Sequence, residues 1–300
     1  MRLGVDLGGT KIEIIALEED GTVLLRERVA TPQGDYPAII AALAGLVEAA
    51  EARLGRTGLP VGIGTPGAIS RATGLLKNSN SVCLNGQPLQ QDLEARLGRP
   101  LRISNDANCF ALSEAVDGAA AGANVVFGVI IGTGTGAGIV VERKVLTGPN
   151  AIAGEWGHNP LPWPRADELP GSACYCGKHG CIETWLSGTG LARDFTQHTG
   201  EALSAESIAA RAEHGEVTSR AALERYYDRM ARALAHVINI LDPDVIVLGG
   251  GMGKIPTLYH EIPRRWGAYV FSDRVDTRLV APKHGDSSGV RGAAWLWPGD

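Results

Sequence analysis

The sequence predicts an α/β fold in two lobes, and three observations carry that expectation. Short apolar runs of strand length alternate with longer runs whose apolar residues recur every three or four positions. Each half opens on a strand pair pinched around a glycine- and threonine-bearing turn, first at Asp6-Leu7-Gly8-Gly9-Thr10-Lys11 and again at Gly132-Thr133-Gly134-Thr135-Gly136. The length of 300 residues suits one large or two medium domains.

Taken in order, residues 3–7 form a buried strand, and 12–17 and 22–29 continue it through the turn Glu18-Glu19-Asp20-Gly21. A helix follows, with Ile39, Ile40, Leu43, Leu46, Val47, Ala50 and Leu54 on one face. Residues 61–64 and 101–104 are short strands, and Asn105-Asp106 marks the start of a helix over 106–116. Strands at 125–131 and 138–141 flank the second glycine turn. A long helix over 221–241 turns Leu223, Tyr227, Met230, Leu234, Val237, Ile238 and Leu241 inward, and Asp242-Pro243-Asp244 stops it. A core strand at 245–248, a strand at 278–280 and a last helix over 288–296 close the chain. No solenoid-type period is present.

Composition fits a soluble cytoplasmic enzyme. The net charge of −5 argues against a nucleic-acid or anionic-membrane surface. No window reaches the ~18 uninterrupted apolar residues of a membrane span, and the first residues lack the basic-then-apolar order of a signal peptide. The 40 glycines cluster at strand ends, where backbone approaches ligands.

The glycine turns are the first chemical signal. Exposed N–H groups with a threonine hydroxyl nearby can wrap phosphate oxygens. Neither turn is a Walker loop or a Rossmann fingerprint. One such turn alone reads as an ordinary hairpin. Two of them, with Gly249-Gly250-Gly251 at a strand's carboxyl end, suit a nucleotide: two clusters for phosphates and one for base and ribose.

The second signal is Cys174-Tyr175-Cys176-Gly177-Lys178-His179-Gly180-Cys181-Ile182-Glu183, just after Glu155-Trp156-Gly157-His158. Three thiols and an imidazole make a tetrahedral Zn²⁺ set. Free thiols or a local disulfide are the plain alternative. A Cys-x-Cys pair bridges poorly, and five cysteines in the chain are too few for a disulfide scaffold. Zinc is therefore favoured. His158 and His179 both offer the nitrogen. Cys83 and Cys109 lie apart, Cys109 in an apolar run as a small core residue.

These residues resemble the ROK family of sugar kinases, in the actin-like, ribonuclease-H-fold ATPase superfamily. The resemblance runs from Asp6-Leu7-Gly8-Gly9-Thr10-Lys11 to the segment Lys283-His284-Gly285-Asp286-Ser287-Ser288-Gly289-Val290-Arg291-Gly292-Ala293-Ala294. The Glu155-x-Gly157-His158 and Cys174-x-Cys176-Gly177-x-x-Gly180-Cys181-x-Glu183 patterns are its most specific parts. Within the family, Asn78-Ser79-Asn80-Ser81, Leu84-Asn85-Gly86-Gln87-Pro88-Leu89 and Gly154 through Trp163 look most similar to bacterial fructokinases of the manno(fructo)kinase type.

The resemblance implies a two-lobed actin-like fold with a zinc loop. A small lobe would comprise residues 1–118 plus a C-terminal helix at 288–300. A large lobe at 119–287 would hold the zinc loop and a homodimer surface. It implies Asp106 as the general base, for which a plain helix cap is the alternative on residues alone. Gly67, Asn80, Asn105, Glu155, His158 and Glu183 would contact the sugar. Asp6, Gly8, Gly9, Thr10, Lys11, Gly132, Thr133, Gly134, Gly250 and Gly251 would line the ATP site, with Asp6 nearest Mg²⁺ brought in with the nucleotide. Zinc would be structural, on His158, Cys174, Cys176 and Cys181, with His158 preferred to His179 by the family pattern. Trp163, Trp295 and Trp297 are read as packing or dimer contacts.

The substrates so implied are ATP and a hexose, with D-fructose phosphorylated at O6. Mannose, glucose or N-acetylglucosamine is the alternative acceptor. The family also contains sugar-responsive repressors, which carry a helix-turn-helix module ahead of the first phosphate turn. Only five residues precede Asp6, so a kinase is expected.

Overall fold

The computed structural model describes residues 1–298. In chain order the elements begin with strands β1 (Arg2–Leu7), β2 (Lys11–Leu17) and β3 (Val23–Ala30), helix α1 (Tyr36–Leu54), and strands β4 (Val61–Thr65), β5 (Ala68–Ile69) and β6 (Leu76–Lys77). Helix α2 (Leu89–Leu97), strand β7 (Arg102–Asn105), helix α3 (Asp106–Val116) and strands β8 (Val125–Ile131), β9 (Thr135–Val141) and β10 (Lys144–Val145) follow. Helices α4 (Ile182–Leu186), α5 (Gly188–Thr199), α6 (Ala205–Glu213) and α7 (Val217–Leu241) precede strand β11 (Val245–Gly249). Helices α8 (Leu258–Glu261) and α9 (Pro263–Trp266), strand β12 (Arg278–Val280) and helix α10 (Ser288–Trp295) complete the chain.

Two five-stranded sheets share one strand order. The first runs β3-β2-β1-β4-β7 and the second β10-β9-β8-β11-β12. In both, the third, second and first strands of the set precede the fourth and fifth. The first sheet pairs β1 with β2 and β2 with β3 antiparallel, and β1 with β4 and β4 with β7 parallel. In the second, β8–β11 and β11–β12 are parallel. The similarity of the two glycine turns is therefore the sequence trace of a repeated sheet.

The chain divides into two units, one of Met1–Gly122, Gly138–Ala153 and Asp286–Asp300, the other of Ala123–Ala137 and Gly154–Gly285. In the first, Leu3, Val5, Ile12, Ile14, Val61 and Ile63 are fully buried with the α1 residues Ile39, Leu43 and Val47. Asp35 caps α1 by accepting from the Ala38 N–H, and Gly55 ends it at φ 61°. On the sheet's other side, α10 lies against strand backbone. A Cβ on Gly62 would stand 1.8 Å from the Ala293 carbonyl oxygen, and one on Gly4 2.2 Å from that of Val290. Only glycine permits that approach. The same helix packs on α3, whose residues Ala107–Ala115 are all buried.

In the second unit, α7 carries an apolar stripe with two buried arginines, Arg229 and Arg232. Glu168 accepts from both, Asp194 of α5 accepts from Arg229, and Arg232 also donates to the carbonyls of Pro162 and Trp163. Burial alone would raise the Glu168 carboxyl, but hydrogen bonds from Arg232, the Arg165 N–H and Arg229 bring it down to about 2. Trp163 stacks on Tyr269 at 5.5 Å between ring centroids. Trp295 and Trp297 lie under Arg2 and Arg102, respectively. No helix among the described residues is long and apolar enough to cross a membrane.

Candidate active site

Parallel β1, β4 and β7 end on one edge of the first sheet, and open α/β sheets bind ligands at such edges. Asp6 lies near the end of β1, and Asp106 opens α3 one residue beyond β7. Asn105 caps α3, its side-chain oxygen 2.9 Å from the Ala107 N–H, which also donates to Asp106 Oδ1 at 2.8 Å. Burial and then the charges of Asp106 and Glu13, opposed by Lys11, raise the Asp6 carboxyl to about 6. A site that raises a carboxylate this way suits a cation or an acid–base task.

The first glycine turn closes by a 3.0 Å bond from the Gly8 N–H to the Lys11 carbonyl. Thr31 donates its hydroxyl to the Gly8 carbonyl at 2.7 Å and Gln33 its amide to that of Gly9 at 3.1 Å. The loop holding Asn80 is fixed differently. Asn85 accepts from the Ser79 N–H and donates to the Ser79 carbonyl, both at 2.8 Å. Asn105 donates to the Gly67 carbonyl at 3.3 Å. Gly67, at φ 84°, lies so close to this loop that a Cβ would be 2.4 Å from the Lys77 carbonyl oxygen. Gly67, Asn105 and Asp106 are thereby brought together beside the loop carrying Asn80, which is exposed.

In the second unit, the Gly132 N–H bonds to the Gly134 carbonyl at 2.9 Å, and the Thr135 N–H donates to Glu183 Oε2 at 2.9 Å. Glu183 thus braces the second glycine turn from α4. Gly250, at φ 78°, rests on the end of β8, where a Cβ would be 2.3 Å from the Ile131 carbonyl oxygen. Gly251 has open space where a Cβ would stand. Glu155 is exposed at the head of a short 3₁₀ turn, Trp156–His158.

That turn delivers His158 to the thiols. The ligand atoms of His158, Cys174, Cys176 and Cys181 all lie within 4.8 Å of one another. Cys174 Sγ is 3.5 Å from His158 Nδ1, and Cys176 Sγ is 3.6 Å from Cys181 Sγ. Ligands at zinc's usual bond lengths stand about 3.5–3.8 Å apart along tetrahedral edges. The four cysteine and histidine side chains therefore fit zinc. Burial and the neighbouring Cys176 and Cys174 push the Cys181 thiol up to about 12, whereas a hydrogen bond from the Lys178 backbone holds the Cys176 thiol below its ordinary value. Gly177 and Gly180, at φ 85° and 68°, make the turn that returns Cys181 to Cys176. His179 is exposed and outside the group. The His158 Nε2 faces the Tyr175 hydroxyl at 2.8 Å.

Comparison with known proteins places these features in a family. The ROK family model matches residues 2–300. N-acetyl-D-glucosamine kinases of Photobacterium profundum and Vibrio cholerae are each 41% identical over 300 residues, covering 99% of both chains. One of Escherichia coli is 39% identical with the same coverage. Among solved structures, the ROK hexokinase of Thermus thermophilus is 30% identical with a TM-score of 0.87, covering 98% of this chain and 97% of that one. A ROK family glucokinase of Streptomyces griseus, in complex with glucose and AMPPNP, is 28% identical with a TM-score of 0.76, covering 98% of each.

The fructokinase branch expected from the loop sequences finds no support in these relatives. The structure gives a physical reason. Leu84 and Leu89 are fully buried, and Asn85 is bonded to its own loop. Trp156 is buried against Phe127, and Arg232 holds the Pro162 and Trp163 carbonyls. Those residues build scaffold, so they report loop architecture more than sugar identity.

Proposed function

The chain belongs to the ROK family, and we propose that its activity there is transfer of the γ-phosphoryl group of ATP to the 6-hydroxyl of N-acetyl-D-glucosamine. The observation that carries this reading is near-end-to-end similarity, at 39–41% identity, to N-acetyl-D-glucosamine kinases. It replaces the fructose expected from the sequence and keeps the sugar-kinase reading intact.

In this reading Asp106 accepts the proton of the sugar's 6-hydroxyl as that oxygen bonds to the γ-phosphorus and the bond to ADP breaks. The helix N-terminus behind Asp106 holds its carboxylate in place through the Ala107 N–H. The family resemblance assigns sugar contacts to Asn80, Asn105 and the Gly67 backbone, and to Glu155, His158 and Glu183. By the same resemblance, Gly8, Gly9, Thr10, Lys11, Gly132, Thr133 and Gly134 are assigned to the phosphates, and Gly250 and Gly251 to the adenosine. Asp6 is the carboxylate nearest the nucleotide's Mg²⁺, which would neutralise phosphate charge. Zinc on His158, Cys174, Cys176 and Cys181 would be structural, fixing the His158 ring and the start of α4 that carries Glu183.

The test is a panel of kcat/KM values for N-acetylglucosamine, glucose, mannose and fructose. N-acetylglucosamine is expected to exceed each of the others by at least about tenfold, since a site that hydrogen-bonds a substituent rejects analogues lacking it. A higher value for glucose would move the chain towards the hexokinases it also resembles, and a higher value for fructose would restore the loop-based assignment.

A further inference from the structure

Both glycine turns are held by one device. In the first, the Gly8 and Gly9 carbonyls are taken by the Thr31 hydroxyl and the Gln33 amide. In the second, the Gly132 carbonyl is taken by the Gly188 N–H at 2.8 Å and the Thr133 carbonyl by the Thr189 hydroxyl at 2.6 Å. A trans peptide points its N–H opposite to the carbonyl across the same bond. Tethering the carbonyls of Gly8, Gly9, Gly132 and Thr133 therefore sets the directions of the N–H groups of Gly9, Thr10, Thr133 and Gly134. Those four N–H groups have no acceptor among the described residues.

The tether on the second turn is itself directed. A hydroxyl has one proton to give. Thr189 spends its proton on the Thr133 carbonyl, so the 3.0 Å contact between Ser187 and Thr189 is donated by Ser187. Ser187 in turn accepts from the Gly190 N–H at 3.0 Å and is buried. A buried serine at the start of α5 thus orients an exposed threonine, which orients a peptide plane of the turn.

We propose that Thr189, with Thr31 and Gln33, are positioning residues for nucleotide phosphate. Each turns backbone carbonyl oxygens away from an anion and presents the following N–H groups to it. The inference rests on the ATP-dependent reading above and adds residues to which no role is assigned.

The test measures the affinity of the wild type, Thr189→Val, Thr31→Val and Gln33→Met for an unhydrolysable ATP analogue with Mg²⁺ by calorimetry, alongside KM for ATP and for N-acetylglucosamine. Each threonine-to-valine change keeps shape and removes the tether. Analogue affinity is expected to fall about tenfold, equivalent to about 1.4 kcal/mol, with KM for ATP rising in step and KM for the sugar within about twofold of wild type. Thr189→Ser and Thr31→Ser keep the hydroxyl and are expected to stay within about twofold throughout. Gln33 is exposed, so its variant reads the same tether without risk to the core. Unchanged analogue affinity in the valine and methionine variants overturns the proposal, as does an equal rise in KM for the sugar or a failure of serine to restore affinity. A wild type that does not bind the analogue overturns the kinase reading itself and this proposal with it.

Discussion

Replacing Asp6 with asparagine should make the protein more stable and less active, and the stability gain should depend on pH. The Asp6 carboxyl titrates near 6 in the folded chain against an ordinary value of 3.8. Burial is the largest cause, followed by the charge of Asp106. Between those two values the folded state holds a proton that the unfolded state has released, so stability falls as pH rises through the window. Above about 6 the whole cost of keeping the charge is present. A carboxyl raised from 3.8 to about 6 carries a cost of about 3 kcal/mol. Asp6→Asn removes that cost near pH 8 and changes little near pH 4. For chains of this size, about 3 kcal/mol is roughly 6–12 °C in Tm. Thermal unfolding of both proteins from about pH 4 to about pH 8 reads the difference directly. A variant no more stable than wild type at the alkaline end, or one whose advantage does not vary with pH, would show that the buried charge is not the cause. The same variant should lose most phosphoryl transfer, because the destabilising charge is the one proposed to stand nearest the nucleotide's Mg²⁺.

Two further predictions concern the site. Asp106→Asn should retain the fold and measurable sugar binding but lose at least about 10²-fold in kcat, the lower end of what a general base contributes; near wild-type turnover would reduce Asp106 to a helix cap. Cys176→Ser should lower zinc content measured by elemental analysis and weaken the Glu183 contact with the second glycine turn; a wild-type protein that is active and zinc-free would remove the metal from the site.

The sequence exposed those parts of the fold whose signal is local. Asn105-Asp106 announced α3 because a cap and a first-turn carboxylate sit side by side. The cysteine–histidine cluster was legible because thiol spacing restricts the alternatives, and the structure brings His158 to the three cysteines while leaving His179 outside. The two glycine turns foreshadowed the shared strand order of the two sheets. Contacts between distant residues were not legible. Glu168, Asp194, Arg229 and Arg232 look in sequence like a solvated helix face and a polar loop, yet they are buried together. Thr31 and Thr189 carry no motif, since their work is done on backbone carbonyls that any sequence offers. Helices α5 and α6 also escaped notice, because α5 begins Gly188-Thr189-Gly190, which reads as loop until the Ser187 cap is seen. The fructose branch finds no support among the relatives for a related reason: residues that shape a loop resemble residues that read a sugar.

Identifying the product tests the proposed activity at its root. Purified protein incubated with ATP, Mg²⁺ and N-acetylglucosamine should yield one ADP per N-acetylglucosamine 6-phosphate, seen as a new phosphomonoester in the ³¹P NMR spectrum with coupling to the C6 protons. ATP breakdown to ADP and inorganic phosphate without a sugar phosphate, or a phosphomonoester that forms only when glucose or fructose replaces N-acetylglucosamine, would overturn the assignment.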